Sequence, residues 1–242
     1  MSIRGSLAWL LQKKEIKFSL NSAEEIINRN QAQSWFTYIL RDRAQRWDVW
    51  QPCLWLAPRI SRKANILETG CGCAWNLIWF GQQGFRNLTG FDIDSKAIAA
   101  GKELCTEAGL SANLYVDDGL APKNLTQESY DVILALNWTH LLEVFDLKAF
   151  CTFYANVLRP GGYIAIDTID SAYNSVPNNQ YLTSDWNLPA EQRRPTEYKK
   201  RYTCEDVRKA ADPSGLIIVK YMAQNEIIPR AVYLLQLPLN RK

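Results

Sequence analysis

From residue 64 onward, apolar and polar positions change with a regularity that the first sixty residues lack. Short apolar runs predict five strands: Asn65-Ile66-Leu67-Glu68, residues 87–93, 112–116, 130–136 and 162–167. The stretches between them carry helical spacing. Ala97, Ile98, Gly101, Leu104, Cys105 and Ala108 share one face, with Ser95 or Asp94 as the cap and Gly109 as the stop. Leu147, Phe150, Cys151, Tyr154, Val157 and Leu158 form a second stripe, with Asp146 as its cap and Pro160-Gly161-Gly162 as its stop. Strand–helix–strand repetition of this kind implies a parallel sheet covered on both faces.

The two ends of the chain read differently. Residues 1–60 predict a helical cap or lid, with Trp35, Phe36, Ile39, Leu40 and Trp47 at helical spacing and Pro52 and Pro58 before the first strand. Four of the nine tryptophans fall between residues 35 and 55, a density suited both to packing on a core and to closing over a ligand. Residues 61–242 form the main domain. Within it, the polar stretch 170–200 reads as an inserted substrate loop. A short helix over 205–211 then leads to two runs, 216–221 and 231–235, whose short connection predicts antiparallel pairing.

Composition narrows the class. The 242 residues are 47% hydrophobic and 22% charged, with a net charge of +3, which is ordinary for a globular protein with a sizeable core. Basic residues are scattered, and Lys199-Lys200-Arg201 is too short to track phosphates, so no nucleic-acid partner is expected. The apolar run near the start is too short for a signal core and no stretch approaches a bilayer span, so no membrane association is expected. Six cysteines in so long a chain read as reduced thiols of a cytoplasmic protein. Cys71-x-Cys73 lacks metal-ligand spacing, and no metal is expected.

The chemistry concentrates at Glu68-Thr69-Gly70-Cys71-Gly72-Cys73-Ala74, where the first strand ends and a helix begins. Glycines there allow a tight turn and close ligand approach. A dinucleotide loop needs a third small residue where Trp75 stands, and the Gly-Lys-Ser/Thr of a phosphate loop is absent. Glu68 would repel a pyrophosphate. A carboxylate there suits a ligand carrying a sulfonium and an ammonium, as S-adenosylmethionine does. Asp92, which is 22 residues after Gly70, is placed to accept from two ribose hydroxyls. In Asp117-Asp118-Gly119, Asp118 is preferred as acceptor from an adenine amino group, because Gly119 gives the loop room.

With these residues in place, the segment from Ile66 to Asp167 resembles the core of the class I S-adenosylmethionine-dependent methyltransferases. The marks are Glu68-x-Gly70-x-Gly72, Gly90-Phe91-Asp92-Ile93-Asp94, Asp118, Ser129-Tyr130-Asp131-Val132-Ile133 and Leu158-Arg159-Pro160-Gly161-Gly162. The resemblance implies a doubly wound α/β fold, with a mostly parallel seven-stranded sheet whose last strand is antiparallel. It implies cofactor contacts at Glu68, Gly70, Gly72, Asp92, Ile93 and Asp118, with S-adenosylhomocysteine as the product. Cys71, Gly119 and Asn137 are expected cofactor contacts beside them. Ala74 departs from the family pattern, where a third glycine is common; alanine is small, and little consequence is expected.

The acceptor is expected against the loops after the fourth and fifth strands, with Trp138, Asp170 and Tyr173 as candidate contacts. His140, the only histidine, is the candidate general base. The expected reaction is in-line methyl transfer to oxygen or nitrogen of a small molecule. A protein or peptide acceptor, or cofactor binding without catalysis, remains open at this point.

Overall fold

The computed structural model describes residues 16–37, 40, 47–224 and 227–239. The chain forms two compact units, Met1–Asn124 and Leu125–Lys242. Much of the expected N-terminal cap (residues 1–15, 38–39 and 41–46) lies outside the described residues, as do the side chains of Trp47 and Trp50.

In the first unit, β1 (Asn65–Thr69), β2 (Asn87–Asp92) and β3 (Asn113–Val116) run parallel in the order β3-β2-β1, with Asn65 opposite Asn87 and Thr89 opposite Asn113. Among the described residues, α1 (Leu20–Arg29) and α2 (Trp47–Leu56) precede them. Ser19 caps α1, whose Ala23, Ile26 and Ile27 are buried. Between the strands come α3 (Trp75–Gln82) and α4 (Ser95–Glu107). In α3 every residue from Trp75 to Gly81 is buried, so it is a core helix rather than an amphipathic one. The cap of α4 is Asp94, which accepts from the N–H groups of Lys96 and Ala97; Ser95 is the first helical residue. Glu103 on α4 accepts from Arg29 and Asn30, tying α1 to the outside of the sheet.

The second unit holds β4 (Tyr130–Ala135), β5 (Leu158–Asp170), β6 (Arg201–Tyr202), β7 (Ile217–Gln224) and β8 (Arg230–Gln236), in the order β4-β5-β8-β7. β4 and β5 are parallel, and β8 is antiparallel to both of its neighbours. The two-residue β6 adds to β5 beside the seven expected strands. α5 (Leu147–Val157) is capped by Asp146, and α6 (Cys204–Ala211) by a reciprocal Thr203–Asp206 box.

One boundary differs from expectation. Pro160-Gly161-Gly162 does not follow the helix as a stop. α5 gives way to β5 at Leu158, and the glycines lie inside the strand at a register shift against β4. There the Gly161 N–H donates to the Leu237 carbonyl at 2.7 Å, and a Cβ on Gly162 would come within 2.9 Å of the Asp131 carbonyl oxygen. The fold is thus a mixed α/β sheet, mostly parallel, with its final strands antiparallel. No helix among the described residues is long and apolar enough to cross a membrane.

Candidate active site

The loop after β1 alternates its backbone hand. Gly70, Gly72 and Ala74 have φ of 62°, 50° and 64°, so every second residue sits in the left-handed region. Glycine adopts that region freely, whereas alanine pays about 1–2 kcal/mol there. The departure at Ala74 therefore matters through backbone conformation, not through the side-chain size on which the expectation of little consequence rested.

Glu68, near the end of β1, is only 2% exposed. Its Oε1 accepts from Asn76 Nδ2 at 2.5 Å, while Oε2 is buried without a hydrogen-bond partner. Burial pushes the Glu68 carboxyl up to about 8; the Asn76 amide and the Leu77 N–H pull it down, and nearby Asp92 adds to the rise.

Asp92 closes the loop from the β2 side. Its Oδ2 accepts from the Gly72 N–H at 2.7 Å and its Oδ1 from the Asp94 N–H at 2.9 Å. Burial raises its pKa, against the hydrogen bonds from Asp94 and Gly72. Each oxygen keeps a further lone pair, enough for two hydroxyl donors. Ile93 beside it is 74% exposed. After β3 the two aspartates divide. Asp117 is buried and accepts from the Asp118 and Lys123 N–H groups and from Asn124 Nδ2. Asp118 is exposed and accepts only from the Leu120 N–H among the hydrogen bonds seen for its side chain, with Gly119 following it.

Helical spacing placed Phe36 only among the residues of the N-terminal cap. Its ring lies on the glycine loop, where a Cβ on Gly72 would meet Phe36 Cε1 at 2.5 Å. Trp75 Nε1 donates to the Phe36 carbonyl at 3.0 Å, and Phe18 packs edge-on to Trp75 at 5.4 Å between ring centres. Trp75, too large for a dinucleotide loop, thus anchors the turn at Ser34–Thr37.

The second unit has its own polar centre at the ends of β4 and β5. Asp167 is fully buried. Its Oδ1 accepts from the Asn137 N–H at 2.6 Å, and its Oδ2 is in close contact with Arg230 Nη2. Burial acts to raise Asp167, but the charges of Arg230 and His140 and the Asn137 N–H outweigh it and hold the carboxyl below its ordinary range. Asn137, at φ 67°, accepts from Arg230 Nη1 and Nη2 through its Oδ1. His140 is 5% exposed, with Nδ1 at 3.7 Å from Asp167 Oδ2 and 3.4 Å from Arg230 Nη2. Sequence reasoning gave neither Asp167 nor Arg230 a role. A lone aspartate in the apolar strand Ile164-Ala165-Ile166-Asp167 was the available signal.

The remaining acceptor candidates have these surroundings. Trp138 stands edge-on to Phe145 and Phe150, with its Nε1 buried. Tyr173 is fully buried, with the Arg201 guanidinium 4.5 Å over its ring. Asp170 caps the following turn through the Ala172 N–H and accepts from Tyr221 OH at 3.0 Å. The 170–200 segment is held by Asp185, which is 3% exposed and accepts from the Arg194 N–H, Nε and Nη2. All six cysteines are free, and no cluster of metal-ligating side chains occurs among the described residues.

Residues 66–162, which include the glycine loop, Asp92 and Asp118, match the methyltransferase domain family. Over that segment, about two-fifths of the chain, the sequence carries a methyltransferase domain. A ribosomal protein L11 methyltransferase of Neisseria meningitidis is 31% identical over 84 residues, 34% of this chain and 27% of that protein. The match thus spans about a quarter of that relative's length. Among solved structures, an S-adenosylmethionine-dependent methyltransferase from Methanosarcina mazei is 17% identical, with a TM-score of 0.62 over 76% of this chain and 97% of that chain. The magnesium protoporphyrin IX methyltransferase of Synechocystis, solved with bound S-adenosylmethionine, is 13% identical, with a TM-score of 0.57 over 77% and 76%. These structural likenesses concern the fold.

The glycine loop and its neighbours in the first unit have a chemistry that fits S-adenosylmethionine. A cationic ligand is what the buried, unpartnered Glu68 Oε2 lacks, and the left-handed glycines bare the loop backbone. Asp92 retains acceptor capacity for a ribose, and the exposed Ile93 offers an apolar face to a flat base.

Proposed function

We propose that this protein transfers a methyl group from S-adenosylmethionine to an oxygen or nitrogen of a small-molecule acceptor in the cytoplasm. The observation that carries the cofactor half is Glu68, a buried carboxyl with one oxygen unpartnered at the lip of a glycine loop. Glu68, Gly70, Cys71, Gly72, Asp92, Ile93, Asp118 and Gly119 would hold the cofactor. Asn137, also expected among these contacts, is bonded to Arg230 and Asp167 in the second unit. The bound cofactor supplies an electrophilic methyl on a sulfonium, which is already a good leaving group. The chain's own work is to position the acceptor and exclude water.

His140 would serve as proton acceptor when the acceptor is a hydroxyl. For that role Nδ1 would carry its proton toward Asp167, which leaves the lone pair on Nε2 to take the acceptor's proton. Asp167 favours the imidazolium that would form, and Arg230 opposes it. The aromatic setting of Trp138, His140, Tyr173 and Tyr198 supports an acceptor with a ring-shaped or apolar face. Free thiols support a reducing compartment. A protein acceptor is the second reading, favoured by the likeness to a ribosomal protein methyltransferase.

Calorimetry with S-adenosylhomocysteine tests the cofactor half. Asp92→Ala should weaken binding at least tenfold, about 1.5–3 kcal/mol. Because Asp92 also holds the Gly72 and Asp94 N–H groups, the variant should lose some stability too. Micromolar affinity for NAD in place of S-adenosylhomocysteine would overturn the reading. A radiolabelled methyl-transfer screen of small hydroxyl and amine compounds against peptides then decides between acceptor classes.

A further inference from the structure

Glu68 presents an imbalance that fixing a cofactor in place does not by itself explain. Its carboxyl lies at the end of a buried strand and receives one side-chain hydrogen bond, from Asn76 on α3. Among the described residues, the titratable groups that face it are Asp92 on β2, Cys71 in the loop and Cys53 on α2, none of them a cation. Among the described residues, no lysine or arginine pairs with it. A carboxylate so placed would be a buried charge beside another carboxylate, a costly arrangement in a medium of low dielectric.

We propose that Glu68 reads the charge of the ligand: it carries its proton in the free protein and releases it when a ligand bearing an α-ammonium group binds. The inference rests on the cofactor reading above and adds a proton to the binding equilibrium. Neutralisation by a proton and neutralisation by the ligand's ammonium are alternatives at one carboxyl. The site therefore selects for ligands that replace the proton by a positive charge. The rise of the Glu68 carboxyl to about 8 agrees with this geometry. Below that pH the proton must leave as the ligand enters. Affinity should then climb by up to about tenfold per pH unit between pH 6 and 8 and level off above it.

The test is titration calorimetry of the full-length protein at pH 7 in phosphate and in Tris, whose different ionisation enthalpies report proton release. S-adenosylhomocysteine retains the ammonium but has no sulfonium; methylthioadenosine lacks the amino-acid arm altogether. S-adenosylhomocysteine should release roughly nine-tenths of a proton at pH 7, and methylthioadenosine close to none. In Glu68→Gln, an isostere of the protonated acid, S-adenosylhomocysteine should bind with no buffer dependence and with an affinity flat from pH 6 to 8. If S-adenosylhomocysteine binds the parent protein without proton release, the inference fails while the cofactor reading stands. Equal release with methylthioadenosine, or release that persists in Glu68→Gln, assigns the proton elsewhere and also overturns it. No binding of either compound removes the cofactor reading and the inference together. Should Glu68→Gln fail to fold, the two ligands on the parent protein still decide the matter.

Discussion

Glu68 and Asp167 are both buried carboxyls near the ends of inner strands, yet they lie in opposite electrostatic states. Asp167 in the second unit has Arg230 against one oxygen and the Asn137 N–H on the other, and is held ionised. Glu68 in the first unit has an amide on one oxygen and nothing on the other, and is pushed toward its neutral form. Burial is the same in both; the difference is a built-in cation. Where the chain supplies its own positive charge, the carboxylate is part of the architecture. Where the described residues supply none, the carboxyl remains available to a ligand that brings one.

Removing the built-in cation should give the largest effect. Arg230→Met leaves Asp167 as a buried charge without its guanidinium, and should lower unfolding free energy at pH 7 by about 3–5 kcal/mol. Chemical denaturation checks this. The deficit should shrink as pH falls toward 4, because protonated Asp167 needs no partner. In the parent protein the sign is the reverse. Asp167 is depressed in the folded state, so its stabilisation is present above the ordinary aspartate range and lost as pH falls through its folded value.

Glu68→Gln should act the other way. Glu68 is raised in the folded state, so its contribution is full below about 4.5 and is lost as pH rises through about 8. The glutamine variant should match the parent near pH 5. At pH 9 without ligand it should be more stable, on the order of 2 kcal/mol. A pair of thermal melts at the two pH values is enough, and equal shifts at both would show that Glu68 is not the titrating group.

The smallest effect concerns the loop that carries Glu68's neighbours. Ala74→Gly relieves a left-handed alanine at φ 64° and should stabilise by about 1 kcal/mol. A destabilised variant would show that helix α3, beginning at Trp75, depends on the stiffness that alanine gives its start.

The contrast between Glu68 and Asp167 was half visible in the chain's letters. Glu68 stood out because it precedes Gly70 and Gly72, a local pattern. The strands and the caps at Asp94 and Asp146 were legible for the same reason: alternation and capping act within a few residues. Arg230 and Asp167 are 63 residues apart, and nothing short-range in the sequence pairs them. Phe36 and Gly72 are 36 residues apart, so helical spacing could place the ring in the cap but not on the glycine loop where it rests. The β5 boundary was misplaced because proline and glycine usually punctuate. Here the pairing of Gly161 and Gly162 with Leu237, far along the chain, kept them in the strand.

The cysteines give the molecule an internal clock. Cys53, Cys71, Cys73 and Cys105 are buried in the first unit and Cys151 in the second, while Cys204 alone is exposed. Burial pushes the thiols up, Cys105 to about 11 and Cys151 to about 12, so few of them are thiolates at neutral pH. An alkylating reagent should therefore mark Cys204 at once and the rest only as their unit opens. Mass spectrometry of the alkylated chain would then show four late adducts for one unit and one for the other. Without any engineered label, it would report which half of the protein yields first.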